Sequence, residues 1–307
     1  MSTWKQPQNY RSRPVTVLGG GVLGRRIGCV WSSAGYDVRI RDPSAEQRAA
    51  AIAYIKEKAP TYAARPTVTQ KQTGETLAVE AFEGVQEAVR NAWLVIEAVP
   101  EKLGLKIETF AQLATAVPDD CILASNSSSY KSSEMLDGLP TESEGAQVKA
   151  RILNMHYYMP PGNMIVELMT DGFTAEGIFP FLVERSREAA LFPYVARKES
   201  TGFIFNRLWA AVKREVLTIL AEGVSEPREI DSMWRQMFVE GGALPCEMMD
   251  NVGLDTVAFI EDHYIKEHGL SGEKTAGFLR EKYLDHGRLG TKSANGGLYP
   301  PRNSGQS

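Results

Sequence analysis

A glycine-rich segment near the start of the chain limits the fold more than any other part of the sequence. In "VTVLGGGVLGRRIG", Gly19, Gly21 and Gly24 form a G-x-G-x-x-G pattern. The pattern lies between an apolar run, 15–19, and a run with helical spacing, 22–35. Glycines at this spacing permit a tight strand-to-helix turn and let a pyrophosphate approach the backbone at the positive end of a helix. The segment predicts a dinucleotide-binding loop, and the alternative is a glycine-rich turn without a ligand.

A carboxylate follows at the end of the next predicted strand. "DVRIRD" (37–42) has the composition of a strand, and Asp42 lies eighteen residues beyond Gly24. A carboxylate at this position binds the ribose hydroxyls of NAD. Arg39 and Arg41 stand beside it and leave NADP as the less favoured alternative. The predicted cofactor is therefore NAD.

Apolar runs of strand length alternate with helical patterns through the first two thirds of the chain. Further strands are predicted at 92–99, 121–126, 150–156 and 164–169, and a helix at 44–58. Because the strands are continuously apolar, both faces of their sheet should be covered by helices. The pattern predicts an α/β fold with an N-terminal, doubly wound sheet of the Rossmann type.

The pattern changes at about residue 196. From Gly202 onward only helical periodicity is visible, in segments such as "FNRLWAAVKREVLTILAEG". We therefore predict a Rossmann-type domain over 1–197 and an all-helical domain over 198–307.

Composition narrows the class of protein. A formal net charge of −4 over 307 residues gives no electrostatic reason to expect nucleic acid or an anionic membrane as a partner. No apolar run reaches the length of about 20 residues that spans a bilayer. Cys29, Cys121 and Cys246 are scattered, which indicates neither a disulfide framework nor a metal site. A reducing, cytoplasmic location fits best.

His156 raises the main question about chemistry. It ends an apolar run in "ILNMHYYMPPGNMIVELM", and Glu167 lies inside the next one. A lone histidine at a strand end is more often a structural residue. A charged residue in an apolar strand is costly unless it is paired, however, and a hairpin around "PPGN" would bring the two together. A histidine oriented by a carboxylate is suited to take the hydroxyl proton of an alcohol during hydride transfer.

Two other strand ends carry polar groups. "IEAVPEKLGLK" places Glu101 and Lys106 just past one strand, and "ASNSSSY" places Ser128 past another. The carboxyl edge of an open α/β sheet is where ligands bind. Taken alone, the first segment is more often a solvated helix start, and a serine cluster is usually a helix cap.

Taken together and in order, these motifs resemble the L-3-hydroxyacyl-CoA dehydrogenase family. The matching segments run from Gly19 to Tyr299 and include "IEAVPEKLGLK", "ASNSSS", "GFIFNRL", "EIDSM", "MMDNVGLDT" and "GRLGTKSANGGLY". The family has an NAD-binding domain followed by a helical domain that dimerises. The resemblance therefore implies an NAD-dependent oxidoreductase, with a small-molecule substrate such as an acyl-CoA and a homodimer formed through the helical domain.

The resemblance also implies roles for individual residues. His156 would be the base and Glu167 its partner. Ser128 would bond the substrate and the nicotinamide, and Asn206 would orient the substrate. The predicted cofactor-binding positions are Gly19, Gly21, Val22, Leu23, Gly24, Asp42, Glu101, Lys106 and Lys292.

This chain departs from the family pattern in two places. The family has H-F-F-N-P where this chain has "HYYMP", so Met159 replaces an asparagine of the nicotinamide pocket, and the spacing from histidine to glutamate is one residue shorter. The segment between Asp42 and 92 is also shorter than the family segment that binds the CoA nucleotide. The sequence thus leaves three hypotheses open: a 3-hydroxyacyl-CoA dehydrogenase, the same chemistry on a substrate without CoA (a sugar acid, as in the similar gulonate dehydrogenases, or a carbonyl or imine), and a non-catalytic dinucleotide-binding protein.

Overall fold

The structure is a computed structural model that describes residues 4–63, 77–139 and 143–301. The chain forms two compact units, Met1–Ala211 and Val212–Ser307. They divide within one long helix, so the division does not test the predicted domain boundary between 197 and 198.

The first unit is built on one eight-stranded sheet. Its spatial order is β3-β2-β1-β4-β5-β6-β7-β8, and every neighbouring pair is parallel except β6 and β7. The strands are β1 Val15–Leu18, β2 Val38–Arg41, β3 Val79–Phe82, β4 Leu94–Glu97, β5 Ile122–Ser125, β6 Ile152–Tyr157, β7 Ile165–Met169 and β8 Phe192–Ala196.

Helices connect and follow these strands. They are α1 Val22–Ser33, α2 Ala45–Ala63, α3 Val85–Val89, α4 Leu103–Ala116, α5 Ser143–Lys149, α6 Ile178–Glu188, α7 Phe205–Ala221, α8 Pro227–Trp234, α9 Pro245–Val252, α10 Leu254–His268 and α11 Phe278–Lys282. Short 3₁₀ turns lie at Tyr10–Ser12, Ser132–Gly138, Leu284–His286 and Gly290–Lys292, and π-helical turns at Arg235–Glu240 and Glu273–Gly277.

Both faces of the sheet are covered, as the continuous apolar strands predict. Successive side chains of a strand point to opposite faces. Leu94 and Ile96 of β4 accordingly pack in a cluster with Trp31 and Trp93, whereas Val95 packs in a second cluster with Phe110. The predicted α/β fold with a doubly wound, mostly parallel sheet is confirmed.

The sequence pattern does not reveal the two edge strands. In β3 the side chains of "VEAF" are exposed or half-buried. In β8, Phe192 and Tyr194 are exposed and Pro193 interrupts the apolar run. Edge strands are covered on fewer sides and tolerate proline, so they lack the continuous apolar pattern on which the prediction depends.

The second unit contains helices and turns, and its described residues form no strand, as predicted. Its core is small: Leu254, Ala258 and Leu279 are the buried members of its apolar cluster. By contrast, α8 and the π-helical turn after it contribute no buried residue. Among the described residues, no helix is both long enough and apolar enough to cross a membrane.

Candidate active site

The glycine-rich loop has the geometry that its spacing predicts. Gly19 has φ +115°, and a Cβ there would lie 2.4 Å from the carbonyl oxygen of Ala98. A Cβ on Gly24 would lie 1.9 Å from the carbonyl oxygen of Gly19. Gly21, by contrast, faces open space, with no atom within 4 Å of the position of a Cβ. Two glycines therefore permit the turn, and the third leaves room for a ligand in front of the backbone.

Helix α1 begins directly at this open position. Gly21 is its N-cap residue, so the N–H groups of Val22 and Leu23 lie in the first turn, where helices leave donors without intrahelical partners. Val22 is exposed. These donors and the helix dipole favour an anionic group at this end of the helix. The loop residues Gly19 to Gly24 thus fit the pyrophosphate of a dinucleotide.

Asp42 lies at the end of β2, next to this loop. Its Oδ2 accepts a hydrogen bond from the N–H of Gly20 over 2.8 Å, and its Oδ1 accepts one from Ser44 over 2.8 Å. The two neighbouring arginines are engaged elsewhere. Arg39 pairs with Glu80, and Arg41 donates to the backbone of Glu83. Asp42 is thus fixed beside the loop, where a carboxylate suits ribose hydroxyls.

A buried ion pair lies at the carboxyl end of β4. Lys106 Nζ is 2.8 Å from Glu97 Oε1 and 3.1 Å from Glu101 Oε2. The hydroxyl of Ser125, at the end of β5, donates to Glu97 Oε2 over 2.6 Å. The sequence prediction assigns Lys106 to the cofactor, and the structure places its ammonium group between two carboxylates.

Glu101 and Ser127 join this group from the loops above the strands. The Ser127 hydroxyl donates to Glu101 Oε1. Burial alone would raise the pKa of Glu101, but the bond from Ser127 and the charge of Lys106 outweigh it and hold the pKa below its ordinary value. Glu101 is therefore a carboxylate at neutral pH, with about two fifths of its side chain exposed to solvent or a ligand.

The "ASNSSSY" segment begins in β5 and continues past its carboxyl end. Asn126 Oδ1 accepts a hydrogen bond from the backbone N–H of Tyr157 over 3.0 Å, which fixes the segment beside the strand that carries His156. Asn126 and Ser127 are buried, whereas Ser128 is exposed. Ser128 thus remains accessible to a ligand, as its predicted role requires.

His156 and Glu167 lie directly opposite each other. Strands β6 and β7 form the predicted antiparallel hairpin, and its register pairs these two residues. Directly opposed residues have Cβ atoms about 4.5–5.5 Å apart on the same face of a sheet. The hairpin therefore brings together the two residues that the sequence singles out.

Glu167 is buried, and three donors hold its carboxylate. The hydroxyl of Tyr158 donates to Oε1 over 2.5 Å. The N–H groups of Ile204 and Phe205 donate to Oε2 and Oε1 over 2.7 and 3.2 Å. These amides lie at the start of α7, so Glu167 also caps that helix. Asn206 is half-buried in the same first turn, and its side chain makes no hydrogen bond with the described residues.

His156 is 8% exposed and lies among aromatic rings. Its ring stacks on Phe203 at 5.1 Å and meets the edge of Tyr158 at 4.6 Å between ring centroids. Nδ1 is buried and has no hydrogen-bond partner among the described residues. Burial lowers the pKa of His156 below its ordinary value, and the charges of Glu167 and Glu101 oppose this effect. The imidazole is therefore neutral at pH 7.

The turn of the hairpin carries the departure from the family pattern. Met159 has φ +55° and is exposed. Asn163 accepts a hydrogen bond from the N–H of Ile165 through Oδ1, which stabilises the turn. Arg26, on α1, donates to the carbonyl of Pro160 over 2.9 Å. The turn is thus attached to the helix that follows the glycine-rich loop.

Lys292 lies in the second unit. Its ammonium group is 3.0 Å from Asp255 and 2.7 Å from the hydroxyl of Thr256. Its predicted contact with the cofactor stays a prediction.

Sequence reasoning did not single out two residues of this site. Glu97 stands in the apolar run "AWLVIEAV", and the argument that singles out Glu167, a charge inside a buried strand, applies equally to it. Tyr158 stands where the family pattern has phenylalanine, and that difference is its only signal in the sequence.

Comparison with known proteins agrees with this geometry. Residues 14–198 match the model of the NAD-binding domain of 3-hydroxyacyl-CoA dehydrogenase, and residues 202–299 match the model of its C-terminal domain. The chain belongs to the 3-hydroxyacyl-CoA dehydrogenase family. It is accordingly an oxidoreductase of this type with an NAD-binding domain, and the comparisons favour an enzyme over a non-catalytic binding protein.

Individual relatives cover different shares of the chain. A 3-hydroxyacyl-CoA dehydrogenase-like protein of Cochliobolus heterostrophus is 48% identical over 153 residues, which are 50% of this chain and 32% of that protein. A probable 3-hydroxyacyl-CoA dehydrogenase of Caenorhabditis elegans is 27% identical over 94% of this chain and 95% of its own length. The solved structure of a diketoreductase is 28% identical, covers 94% of this chain and 99% of that one, and superposes with a TM-score of 0.63.

Proposed function

We propose that the protein interconverts a 3-hydroxyacyl substrate and its 3-ketoacyl counterpart, with NAD(H) as the cofactor and His156 and Glu167 as a catalytic dyad. The observation that carries this proposal is the register that places these two residues opposite each other in an antiparallel hairpin. In the chain the hairpin comes after β4 and β5, whose carboxyl ends carry the family segments "IEAVPEKLGLK" and "ASNSSS".

The cofactor would be held by the loop Gly19–Gly24 and by Asp42. The open space at Gly21, the free donors of α1 and the fixed carboxylate of Asp42 match a pyrophosphate followed by a ribose. When bound, NAD supplies the acceptor for the hydride of the alcohol carbon. Glu101 and Lys106 would stand near the cofactor at the end of β4, with Lys106 acting through the carboxylates that it pairs with.

His156 would handle the proton. Nδ1 is enclosed, so Nε2 is the nitrogen that faces the substrate and takes the hydroxyl proton when the alcohol is oxidised. In the reverse direction the protonated ring returns the proton to the developing alkoxide. Glu167 would stabilise the imidazolium from the neighbouring strand, and Ser128 and Asn206 would bond the substrate oxygen and fix its orientation.

The decisive test replaces His156 with glutamine, which retains hydrogen-bonding capacity but has no titratable group. Turnover of acetoacetyl-CoA with NADH should fall by about two to four orders of magnitude, the usual contribution of a general acid or base. The affinity for NADH, measured by fluorescence, should stay within about twofold. His268→Gln, in the second unit, is the matched control and should retain activity. Full activity of His156→Gln would refute the proposal.

A second candidate function has the same dyad acting on a substrate without CoA. The diketoreductase that matches nearly the whole chain is described as catalysing reactions of dicarbonyl compounds, which favours this candidate. The altered turn at Met159 lies next to the reacting groups. Comparing kcat/KM for acetoacetyl-CoA with that for free acetoacetate and for a simple 3,5-diketo ester separates the two candidates. A preference of 100-fold or more for the CoA ester would exclude the second one.

We also propose that two copies of the chain associate through the helical unit. Apolar side chains of α8 and of the turn that follows it are exposed, with Met233 and Val239 both at 70%. The small core of this unit leaves these side chains uncovered by the described residues. Exposed apolar side chains grouped on neighbouring elements are typical of protein interfaces, and self-association is the assembly that the family resemblance implies.

A further inference from the structure

The hydroxyl of Tyr158 contacts the carboxylate on which the proposed dyad depends. It donates to Glu167 Oε1 over 2.5 Å, while the edge of the same ring packs against the ring of His156. Tyr158 is half-buried, and its ring is held from the other side by Phe205 at 90°. One side chain therefore touches both members of the dyad.

This contact distinguishes the chain from the H-F-F-N-P pattern of its family. A phenylalanine at this position would pack in the same way but would donate no hydrogen bond. Glu167 is 1% exposed, so its charge is stabilised by the donors around it rather than by water. A hydrogen bond to a charged group is stronger than one between neutral groups, and Tyr158 supplies the only side-chain donor to Glu167 among the described residues.

The other two donors to Glu167 are backbone amides of Ile204 and Phe205, which are fixed by the start of α7. Together the three bonds occupy both carboxylate oxygens, while Nδ1 of the opposing His156 has no partner among the described residues. A bond from His156 to Glu167 would be made to a carboxylate whose charge is already partly neutralised by the bond from Tyr158. The tyrosine hydroxyl and the imidazole N–H would thus share the negative charge of one carboxylate.

We propose that Tyr158 is a positioning residue that limits how strongly Glu167 attracts the protonated ring of His156. The proposal rests on the proposed function of the dyad. With its hydroxyl on Oε1, Tyr158 neutralises part of the negative charge that faces the ring and makes His156 a weaker base than the same dyad with phenylalanine. The neutral form of the base is then retained to lower pH.

The charged groups around His156 are few. Glu167 faces it from β7, Glu101 acts on it from the loop after β4, and Phe203 and Tyr158 enclose it with rings. Burial and the bond to Glu167 raise the pKa of Tyr158, so that its hydroxyl stays protonated and donates throughout the working range. Tyr158→Phe therefore removes one donor and leaves both nearby carboxylates in place.

The test is an NMR titration of the His156 ring in the 307-residue chain, labelled at its four histidines. His156→Gln identifies the resonance. Tyr158→Phe should raise the pKa of His156 by about 0.5–1 unit, a three- to tenfold gain in proton affinity. Tyr157→Phe is the matched control, because this neighbouring tyrosine is buried and its hydroxyl accepts a bond from Trp31 instead. It should leave the pKa of His156 unchanged.

A double-mutant cycle separates positioning from packing. If Tyr158 acts through Glu167, Tyr158→Phe should have no further effect on the titration in a Glu167→Gln background, whereas a packing effect would persist there. An unchanged titration in the single variant, or an equal shift in both backgrounds, would overturn the proposal. The titration measures proton binding and needs no turnover. If the His156→Gln variant proved active and so refuted the proposed function, the titration would still decide whether Tyr158 acts on His156 through Glu167.

Discussion

Lys106 and Glu97 form an ion pair in which both side chains are enclosed, with exposed fractions of 1% and 0%. The pair joins the start of α4 to the end of β4. The second oxygen of Glu97 accepts from Ser125, and the ammonium group also reaches Glu101. These four side chains therefore form one charge network, which fixes the position of Glu101 at this edge of the sheet.

Removing one partner of this pair should destabilise the protein strongly. Lys106→Met leaves Glu97 as a buried carboxylate without a counterion, and such changes cost about 3–5 kcal/mol. Urea unfolding of the first unit at pH 7, followed by tryptophan fluorescence, measures the loss. Lys102→Met, at an exposed position of the same segment, should change the free energy of unfolding by less than about 0.5 kcal/mol. Equal effects of the two variants would show that the buried pair contributes nothing specific.

The sequence predicted the parts of the site that follow from strand ends. Parallel strands present their carboxyl ends at one edge, so the glycine loop, Asp42 and Glu101 were assigned to that edge from the order of elements alone. The opposition of His156 and Glu167 was predictable because a turn signal lies between two apolar strands. The partners of Lys106 were not, since which of several carboxylates an ammonium group reaches depends on how α4 packs on the sheet.

The activity should depend on pH in opposite senses for the two directions. Burial lowers the pKa of His156, although Glu167 and Glu101 oppose this shift. Oxidation of the alcohol needs the neutral ring, so its kcat/KM should be constant near pH 7 and fall as the pH drops through a value below about 6.5. Reduction needs the protonated ring and should weaken as the pH rises through the same value. Measuring kcat/KM from pH 5 to 9 in each direction tests these two expectations. If kcat/KM for oxidation still rose with pH above pH 7, the base would be a group other than His156.

Asp42 should control the choice between NAD and NADP. Its carboxylate is fixed by the amides of Gly20 and Ser44, whereas Arg41 is turned to the backbone of Glu83. Replacing Asp42 with serine removes the charge that would repel a 2′-phosphate and weakens the bond to the ribose. The preference for NADH over NADPH, expressed as a ratio of kcat/KM values, should fall by at least about tenfold. Glu46→Ser, in the first turn of α2, is the control for a lost charge nearby and should leave the ratio within about twofold.

The parts of the molecule that the sequence did not predict share a physical cause. β8 is an edge strand with exposed side chains, so it lacks a continuous apolar pattern. Tyr158 contacts Glu167 through its hydroxyl, and the apolar pattern around Tyr158 does not indicate that contact. In each case the decisive information is a contact between residues that lie far apart in the chain or on different elements. Periodicity reports whether a residue is buried and does not report which group it meets.

Glu167 should also contribute to the stability of the start of α7. Its oxygens accept the N–H groups of Ile204 and Phe205, so glutamine, which offers one carbonyl oxygen and a donor in place of two acceptors, cannot satisfy both. We expect Glu167→Gln to lower the free energy of unfolding by about 1–3 kcal/mol as well as kcat. Hydrogen exchange at residues 204 and 205 should become faster, while exchange at the distant end of α7 changes little. Unchanged protection of these two amides would contradict the capping role.

The proposed self-association should depend on the apolar side chains that the helical unit leaves exposed. Sedimentation or light scattering should give twice the chain mass of 33.9 kDa for the natural sequence. Met233→Glu places a charge on an exposed apolar position of α8, where a partner would have to bury it without a counterion, and should shift the mass to that of one chain. Ser232→Glu adds the same carboxylate at the adjacent exposed polar position and is expected to weaken association less. A natural sequence that sediments as a single chain at micromolar concentration would remove the proposal.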